Sequence, residues 1–181
     1  MLRRRAAIPI DERNRISRLL TEKFLASEIY HASKILMAYA STADELQLDG
    51  LFAACFADGK ILAIPFIVGK GLMRAVVVPN FDALEFGAFN IKTVREPKNF
   101  VDPAQIDCVI VPGAAFDING GRLGLGGGFY DKFLPQAVNA VTIAFALDCQ
   151  IIDEVPTEFH DVPVDIVLTE RRLCRRNLLT G

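Results

Sequence analysis

The stretch Ile106-Asp107-Cys108-Val109-Ile110-Val111, closed by Pro112-Gly113, is apolar at five of the six positions before the proline. A run this short and this apolar reads as a strand covered on both faces, as in a parallel sheet held between helices. Working outward, Ile35–Ala40, Ile61–Ile64, Val141–Leu147 and Val164–Leu168 have the same character, and Met73–Val78 continues the alternation less clearly. Between these runs the period changes. Ile16, Leu19, Leu20 and Phe24, with Ile29 further on, recur at helical spacing and predict one long amphipathic helix after Asp11. Leu48, Leu51, Phe52 and Cys55 stand at i, i+3, i+4 and i+7 and predict a second, ended by Gly59-Lys60. Phe129–Leu134 begins a short helix that Pro135 cuts off, and Asn80 to Pro103 is loop-rich. Strands alternating with helices predict an α/β fold with a mostly parallel sheet between helical layers, as a single domain over residues 1–181.

The chain has 181 residues, 51% of them apolar, and a net charge of −2. No apolar run approaches the roughly 18 residues that cross a bilayer, so the apolar residues belong to a core and no membrane partner is expected. Met1-Leu2-Arg3-Arg4-Arg5 has a basic start, but the apolar stretch behind it contains Pro9 and stops at Asp11, too short for an export signal. Basic and acidic residues are interspersed, which argues against nucleic acid; Arg3–Arg5 and Arg171–Arg176 read as solvated termini. Cys55, Cys108, Cys149 and Cys174 form no Cys-x-x-Cys pair, and the two histidines, His31 and His160, lie far from them, so zinc is not expected. Widely spaced thiols in apolar segments predict a reduced, cytoplasmic protein. A monomer or weak homo-oligomer is the expectation.

The chemistry concentrates after the opening strand. Pro112-Gly113-Ala114-Ala115-Phe116-Asp117 leads to Gly120-Gly121-Arg122-Leu123-Gly124-Leu125-Gly126-Gly127-Gly128-Phe129-Tyr130-Asp131, with six glycines between positions 120 and 128. Glycine lets backbone N–H groups turn toward a ligand and lets phosphate approach without a Cβ in the way. A helix start adds partial positive charge, and Arg122 adds a cation with fork geometry. The loop therefore suits phosphate, against the plainer reading of a flexible surface loop. It is not a Walker loop, since no Gly-Lys-Ser/Thr is present. It is not the dinucleotide fingerprint either, since Gly124-x-Gly126 is followed by Phe129 where glycine is needed.

Arg-Leu-Gly-x-Gly-Gly-Gly-aromatic-Tyr-Asp over 122–131, preceded by Pro-Gly-x-Ala-Phe-Asp over 112–117, resembles the 5-formyltetrahydrofolate cyclo-ligase family. Asp44-Glu45, Glu96-Pro97, Gln150, Pro156, His160-Asp161-Val162-Pro163-Val164-Asp165 and Val167-Leu168-Thr169-Glu170 extend the likeness over about Ala7 to Glu170. The resemblance implies a three-layer α/β/α sandwich and an ATP- and magnesium-dependent reaction. In it, 5-formyltetrahydrofolate is phosphorylated on its formyl oxygen, N10 attacks, and phosphate leaves to give 5,10-methenyltetrahydrofolate, with ADP as the other product. A formyl oxygen leaves badly, and phosphorylation makes it a leaving group; the protein then has to position and neutralise.

The resemblance also implies roles. Arg122, Leu123, Gly124, Leu125, Gly126, Gly127, Gly128, Phe129 and Tyr130 would hold ATP, with Arg122 and Tyr130 as the catalytic residues. Ala40, Glu45 and Leu125–Phe129 (Leu125, Gly126, Gly127, Gly128 and Phe129) would meet the folate, and Asp131 and Asp165 the magnesium ion. Against these stand plainer readings: a solvated loop arginine, a helix-start carboxylate at Glu45, dipole pairing at Asp131, a strand-end aspartate at Asp165. His160 reads as structural. The chain departs from the family pattern at Leu48, where threonine is usual. It departs again ahead of Asp11, where the family's ATP-contacting lysine and arginine, four apart, would precede Met1 in an ungapped alignment. Arg3, Arg4 and Arg5 resemble only the end of that helix, which predicts poor ATP binding unless they substitute. The alternative reading is a non-catalytic folate-binding or regulatory homologue with impaired ATP binding.

Overall fold

A computed structural model describes residues 2–87 and 91–176. The predicted strand after Ile106 is β7 (Cys108–Ile110), and it lies inside a parallel block. β1 (Ile35–Ala38) pairs with β7 on one side and with β2 (Ile61–Gly69) on the other; β10 (Val141–Phe145) lies beyond β7, and β11 (Ile166–Leu168) beyond β10. All these pairings are parallel. Antiparallel strands finish both edges: β12 (Leu173–Arg175) beside β11, and β3 (Leu72–Val78) then β6 (Phe100–Val101) beyond β2.

The two-sided apolar strands have the physical reason expected for them. Leu36, Ala38, Leu62, Ile64, Cys108, Ile110, Ile143 and Phe145 share one core with Ile16, Leu20 and Phe24 of α2 (Ile10–Leu25) and with Leu51, Phe52 and Cys55 of α4 (Asp49–Ala57). The alternate residues Met37, Ala63, Val109 and Ala144 share the other core with Phe133 of α5 (Phe129–Phe133), Leu134 and Ala137. Side chains alternate across a strand, so each strand feeds both layers. The result is a three-layer α/β/α sandwich.

Four details differ from the sequence reading. The long first helix is two, because Ser27 stops it. Its hydroxyl donates to Phe24 O and accepts from Tyr30 N, capping α3 (Glu28–Ala32). No helix separates β2 from β3; they form a hairpin whose turn, Lys70-Gly71, has Gly71 at φ +66°. The loop-rich middle holds a small hairpin of β4 (Leu84–Phe86) and β5 (Lys92–Val94), with 88–90 outside the described residues. The basic cluster at 171–176 contains β12. There Arg172 donates twice to Asp148, at 2.6 and 2.9 Å, so the cluster is part of the sheet edge. Pro135 acts as expected: α5 is five residues long and passes into a single turn at Leu134–Gln136.

One buried carboxylate organises the loops above the second core. Asp117 follows β8 (Ala115–Phe116), which pairs with β9 (Arg122–Leu123). Its Oδ1 accepts from Asn119 N and Gly121 N and its Oδ2 from Val155 N, all within 2.9 Å. Gly120, at φ +88°, lies against the Val164 carbonyl, where a Cβ would have no room. Asp117→Ala leaves three N–H groups without their acceptor, each worth about 1–3 kcal/mol when buried unpaired. We expect this variant to lose at least about 3 kcal/mol of unfolding free energy in urea, and Asp117→Asn, which keeps one acceptor oxygen, to lose less. Unchanged stability of Asp117→Ala would show that the carboxylate anchors nothing.

Candidate active site

From β1 the chain crosses through α4 to β2 on one side of the sheet; from β7 it crosses through α5 to β10 on the other. The connections part between β1 and β7, and loops leaving the carboxyl ends of those strands splay to leave a crevice. Tyr39 and Ala40 extend β1 into it, and Pro112-Gly113 extend β7. A small cavity there is lined by Arg5, Tyr39, Glu45, Leu46, Gly113 and Gln150, among others. A larger concavity, about 290 Å³, lies elsewhere, between α2 and the start of α4, lined by residues such as Ser17, Thr21 and Gln47. Size does not decide between the two: the smaller one, about 10 Å³, is lined by Glu45, a site residue read from the sequence, and lies at the carboxyl ends of β1 and β7.

Glu45 stands in the loop between β1 and α4, four residues before the helix, so it is not a helix-start carboxylate. Its Oε2 accepts from Thr42 N at 2.9 Å. The loop around it is pinned from behind: Gln47 donates to the carbonyls of Thr42 and Glu45, and Ser17 of α2 accepts from Gln47 N. Arg13, also on α2, donates to the carbonyls of Ile8 and Ala43. Gln150 closes the far wall, donating to Gly113 O and Ala114 O while accepting from Leu147 N. Ala40 is buried at the end of β1.

Arg122 leaves β9 and turns inward. Its Nη2 is 2.6 Å from Asp131 Oδ1, its side chain is 5% exposed, and the guanidinium carbon lies 5.8 Å from the centre of the Tyr130 ring. A Cβ on Gly124 would stand 3.4 Å from Arg122 Nη1, so the guanidinium sits beside the glycine loop. Gly126 and Gly128 have φ of +84° and +61°, and a Cβ at either would meet nothing within 4 Å. Gly126 and Gly128 thus serve backbone conformation and open space rather than packing, whereas a Cβ on Gly127 would meet the Phe129 ring. Leu125 projects from it, 75% exposed. α5 is only about a turn long, so the dipole expected of it adds little.

The two halves of the site share one field. Burial pushes the Tyr130 hydroxyl well above the ordinary phenol range, with Arg122 opposing and Glu45 adding to the shift. Burial raises Tyr39 too, helped by Glu45 and Tyr130 and opposed by Arg5. Both phenols stay protonated, and Tyr130 Oη is buried with no hydrogen-bond partner. A neutral donor without an acceptor, beside an arginine whose Nε also lacks one, is what a site for an anionic ligand presents.

The predicted metal acids are not brought together. Asp131 uses Oδ1 for both Arg122 and Val162 N, which leaves Oδ2 for a cation. Magnesium takes one or two carboxylates with phosphate oxygens and waters, so Asp131 fits it. Asp165 precedes β11, at the amino ends of the parallel strands. Its Oδ2 accepts from Thr142 N and Thr142 Oγ1, and its Oδ1 lies 3.3 Å from Arg176 Nη2. Those bonds tie β10, β11 and the segment after β12, and among the described residues none joins Asp165 to Asp131 or Arg122. Residue type and motif spacing suited Asp165 to a metal; in this structure both its oxygens bond the strand ends. His160 is a half-exposed surface residue near Glu158 and Asp161. Arg5, read as a solvated terminus, is buried in the crevice beside Glu45, while Arg3 and Arg4 are exposed. Nothing in Arg3-Arg4-Arg5 distinguishes the third arginine, because only the placement of α1 (Leu2–Ala6) points it inward.

Known proteins resemble this chain along most of its length. The chain is 32% identical to the 5-formyltetrahydrofolate cyclo-ligase of Mus musculus, an alignment covering 91% of this chain and 87% of that one. It is 27% identical to the 5-formyltetrahydrofolate cyclo-ligase of Escherichia coli, over 94% and 96% of the two chains. The NMR structure of Aquifex aeolicus 5,10-methenyltetrahydrofolate synthetase superposes with a TM-score of 0.86 at 30% identity, over 97% of this chain and 89% of that one. The profile of the 5-formyltetrahydrofolate cyclo-ligase family matches residues 1–170, a span that includes the switch-point crevice, the glycine loop and the Arg122–Asp131 pair. With fold, motif and whole-length similarity in agreement, the chain belongs to the 5-formyltetrahydrofolate cyclo-ligase family and is a ligase.

Proposed function

We propose that this ligase converts 5-formyltetrahydrofolate to 5,10-methenyltetrahydrofolate in an ATP- and magnesium-dependent reaction that releases ADP and phosphate. The observation that supports the reading is that buried Tyr130, beside Arg122 at the end of the glycine loop, also feels the charge of Glu45. Glu45, oriented through Thr42 N, accepts from the pterin's N–H and amino groups, and buried Ala40 borders the same ring. Leu125 and Phe129 flank the folate, while the amides of Leu123–Tyr130 face the triphosphate. Arg122 neutralises charge on the transferring phosphoryl group, and protonated Tyr130 donates from the adjoining wall. Magnesium, held through Asp131, supplies charge neutralisation at the phosphates. The four free cysteines support a reducing, cytoplasmic setting.

The first test is direct. Incubated with magnesium-ATP and 5-formyltetrahydrofolate, the chain is expected to generate the methenyl chromophore with one ADP per turnover. Chromophore without ADP, or neither, defeats the reading.

Arg122→Ala should lower kcat about 10²–10³-fold, the usual loss when one preorganised charge donor leaves such a site. Arg122→Lys should recover part of it, since lysine lacks the fork. A kcat near normal in Arg122→Ala would make the arginine a loop residue.

The metal assignment divides the aspartates. Asp131→Asn is expected to raise the magnesium concentration for half-maximal rate several-fold. Asp165→Asn should lower the melting temperature while leaving that concentration nearly unchanged. A matching rise in both variants would restore Asp165 as a second ligand.

A further inference from the structure

Besides Arg122, two arginines, Arg5 and Arg13, are buried beside the loop that carries Glu45, and only Arg13 is satisfied. Arg13, 8% exposed, donates to two carbonyls and holds the loops that flank Glu45. The side chain of Arg5, 9% exposed as a residue, makes no hydrogen bond to any described residue. Its Nε is buried without a partner, and its nearest charge is Glu45, with Nη1 3.8 Å from Oε1. That separation is an ion pair but not a hydrogen bond. A guanidinium out of water needs acceptors for its five N–H groups, and one carboxylate beyond bonding distance supplies none. The cavity that Arg5 and Glu45 line together holds only about 10 Å³, so it admits an acceptor atom at the edge of a ring and not the ring itself.

The chemistry of that acceptor follows from the pair. Glu45 offers acceptors only; Arg5 offers donors only; and they stand side by side. Together they are complementary to a ring edge that presents two donors and then an acceptor. The 2-amino-4-oxo edge of a pterin has this order: the 2-amino group, N3–H, and the 4-oxo oxygen. We infer that Arg5 is a specificity-determining residue that donates to the 4-oxo oxygen while Glu45 accepts from N3–H and the 2-amino group. This rests on the proposed folate reaction and assigns a residue outside the glycine motif to it. The 4-oxo oxygen gives Arg5 an acceptor within bonding reach, and the charge of Glu45 keeps the guanidinium in place while the site is empty. A 4-amino group would set donor against donor, so the pair also rejects 2,4-diamino rings.

The experiment uses the full chain, isothermal titration and steady-state rates, with 5-formyltetrahydrofolate and its 2,4-diamino analogue as probes. The parent protein is expected to bind the 4-oxo compound at least tenfold more tightly than the analogue. Arg5→Met should weaken 5-formyltetrahydrofolate about 10- to 100-fold, the loss of one charged hydrogen bond to a buried acceptor. KM should rise by a similar factor with kcat little changed, the preference for the 4-oxo compound should collapse, and nucleotide affinity should hold. Arg5→Lys, which keeps a donor, should restore part of the affinity and of the preference. If Arg5→Met folds poorly, the parent's own discrimination and Arg5→Lys still decide. A parent indifferent to the 4-position, or an Arg5→Met that loses only nucleotide affinity, overturns the inference while leaving the folate reaction standing. A parent that neither binds nor converts 5-formyltetrahydrofolate overturns both.

Discussion

The parallel pairing of β1 with β7, Leu36 to Cys108 through Ala38 to Ile110, is the constraint from which the rest of the molecule follows. Its residues are buried on both faces, so each strand must be roofed twice, by α2 and α4 on one side and by α5 with its following turn on the other. Because the chain leaves β1 and β7 in opposite directions, the loops after them cannot close over the gap between the strands. The crevice is therefore a product of connectivity. Any polar groups carried on those loops, whatever their distance in sequence, are delivered to the same place.

What stands in the crevice is an unfinished electrostatic arrangement. Arg122 is neutralised by Asp131 and backed by the Tyr130 ring, yet keeps a buried donor unused. Arg5 is held only by Glu45 across 3.8 Å. Elsewhere the buried polar groups are well supplied: Asp117 takes three N–H donors, Gln150 bonds three backbone groups, and Arg13 two carbonyls. Among the described residues, three of the four buried side-chain donors without a partner, on Arg5, Arg122 and Tyr130, belong to this part of the molecule, and the fourth is Arg176 at the sheet edge; such donors are what a ligand can satisfy. The loop bearing Glu45 is fixed from behind by Ser17, Gln47 and Arg13, so the carboxylate waits in position.

The layers and the strands were legible because burial on two faces leaves a compositional trace that survives in one dimension. Ile106–Val111 and Ile35–Ala40 could hardly be anything else, and Leu48–Cys55 had the helical period. The hairpin of β2 and β3 was less legible. An antiparallel partner reached through Lys70-Gly71 and a parallel partner reached through a helix leave the same apolar alternation in each strand. β12 was hidden by its charge, since an edge strand needs only one apolar face and Arg172 is spent on Asp148. Ser27 broke a helix whose apolar period ran through it, because a hydroxyl that bonds the backbone on both sides competes with the helical ladder.

By itself the sequence determined the α/β class, the buried strands, the glycine loop with its backbone freedom, and the residue types able to hold phosphate, metal and pterin. Those properties depend on local pattern and on the chemistry of single side chains. The tertiary structure alone decided which carboxylate is free and which is spent, since Asp131 keeps an oxygen open while Asp165 bonds Thr142 and Arg176. It alone decided that Arg5, and not Arg3 or Arg4, faces Glu45. Both outcomes turn on where a side chain lands relative to partners distant along the chain, and a hydrogen bond is satisfied or left open only in three dimensions.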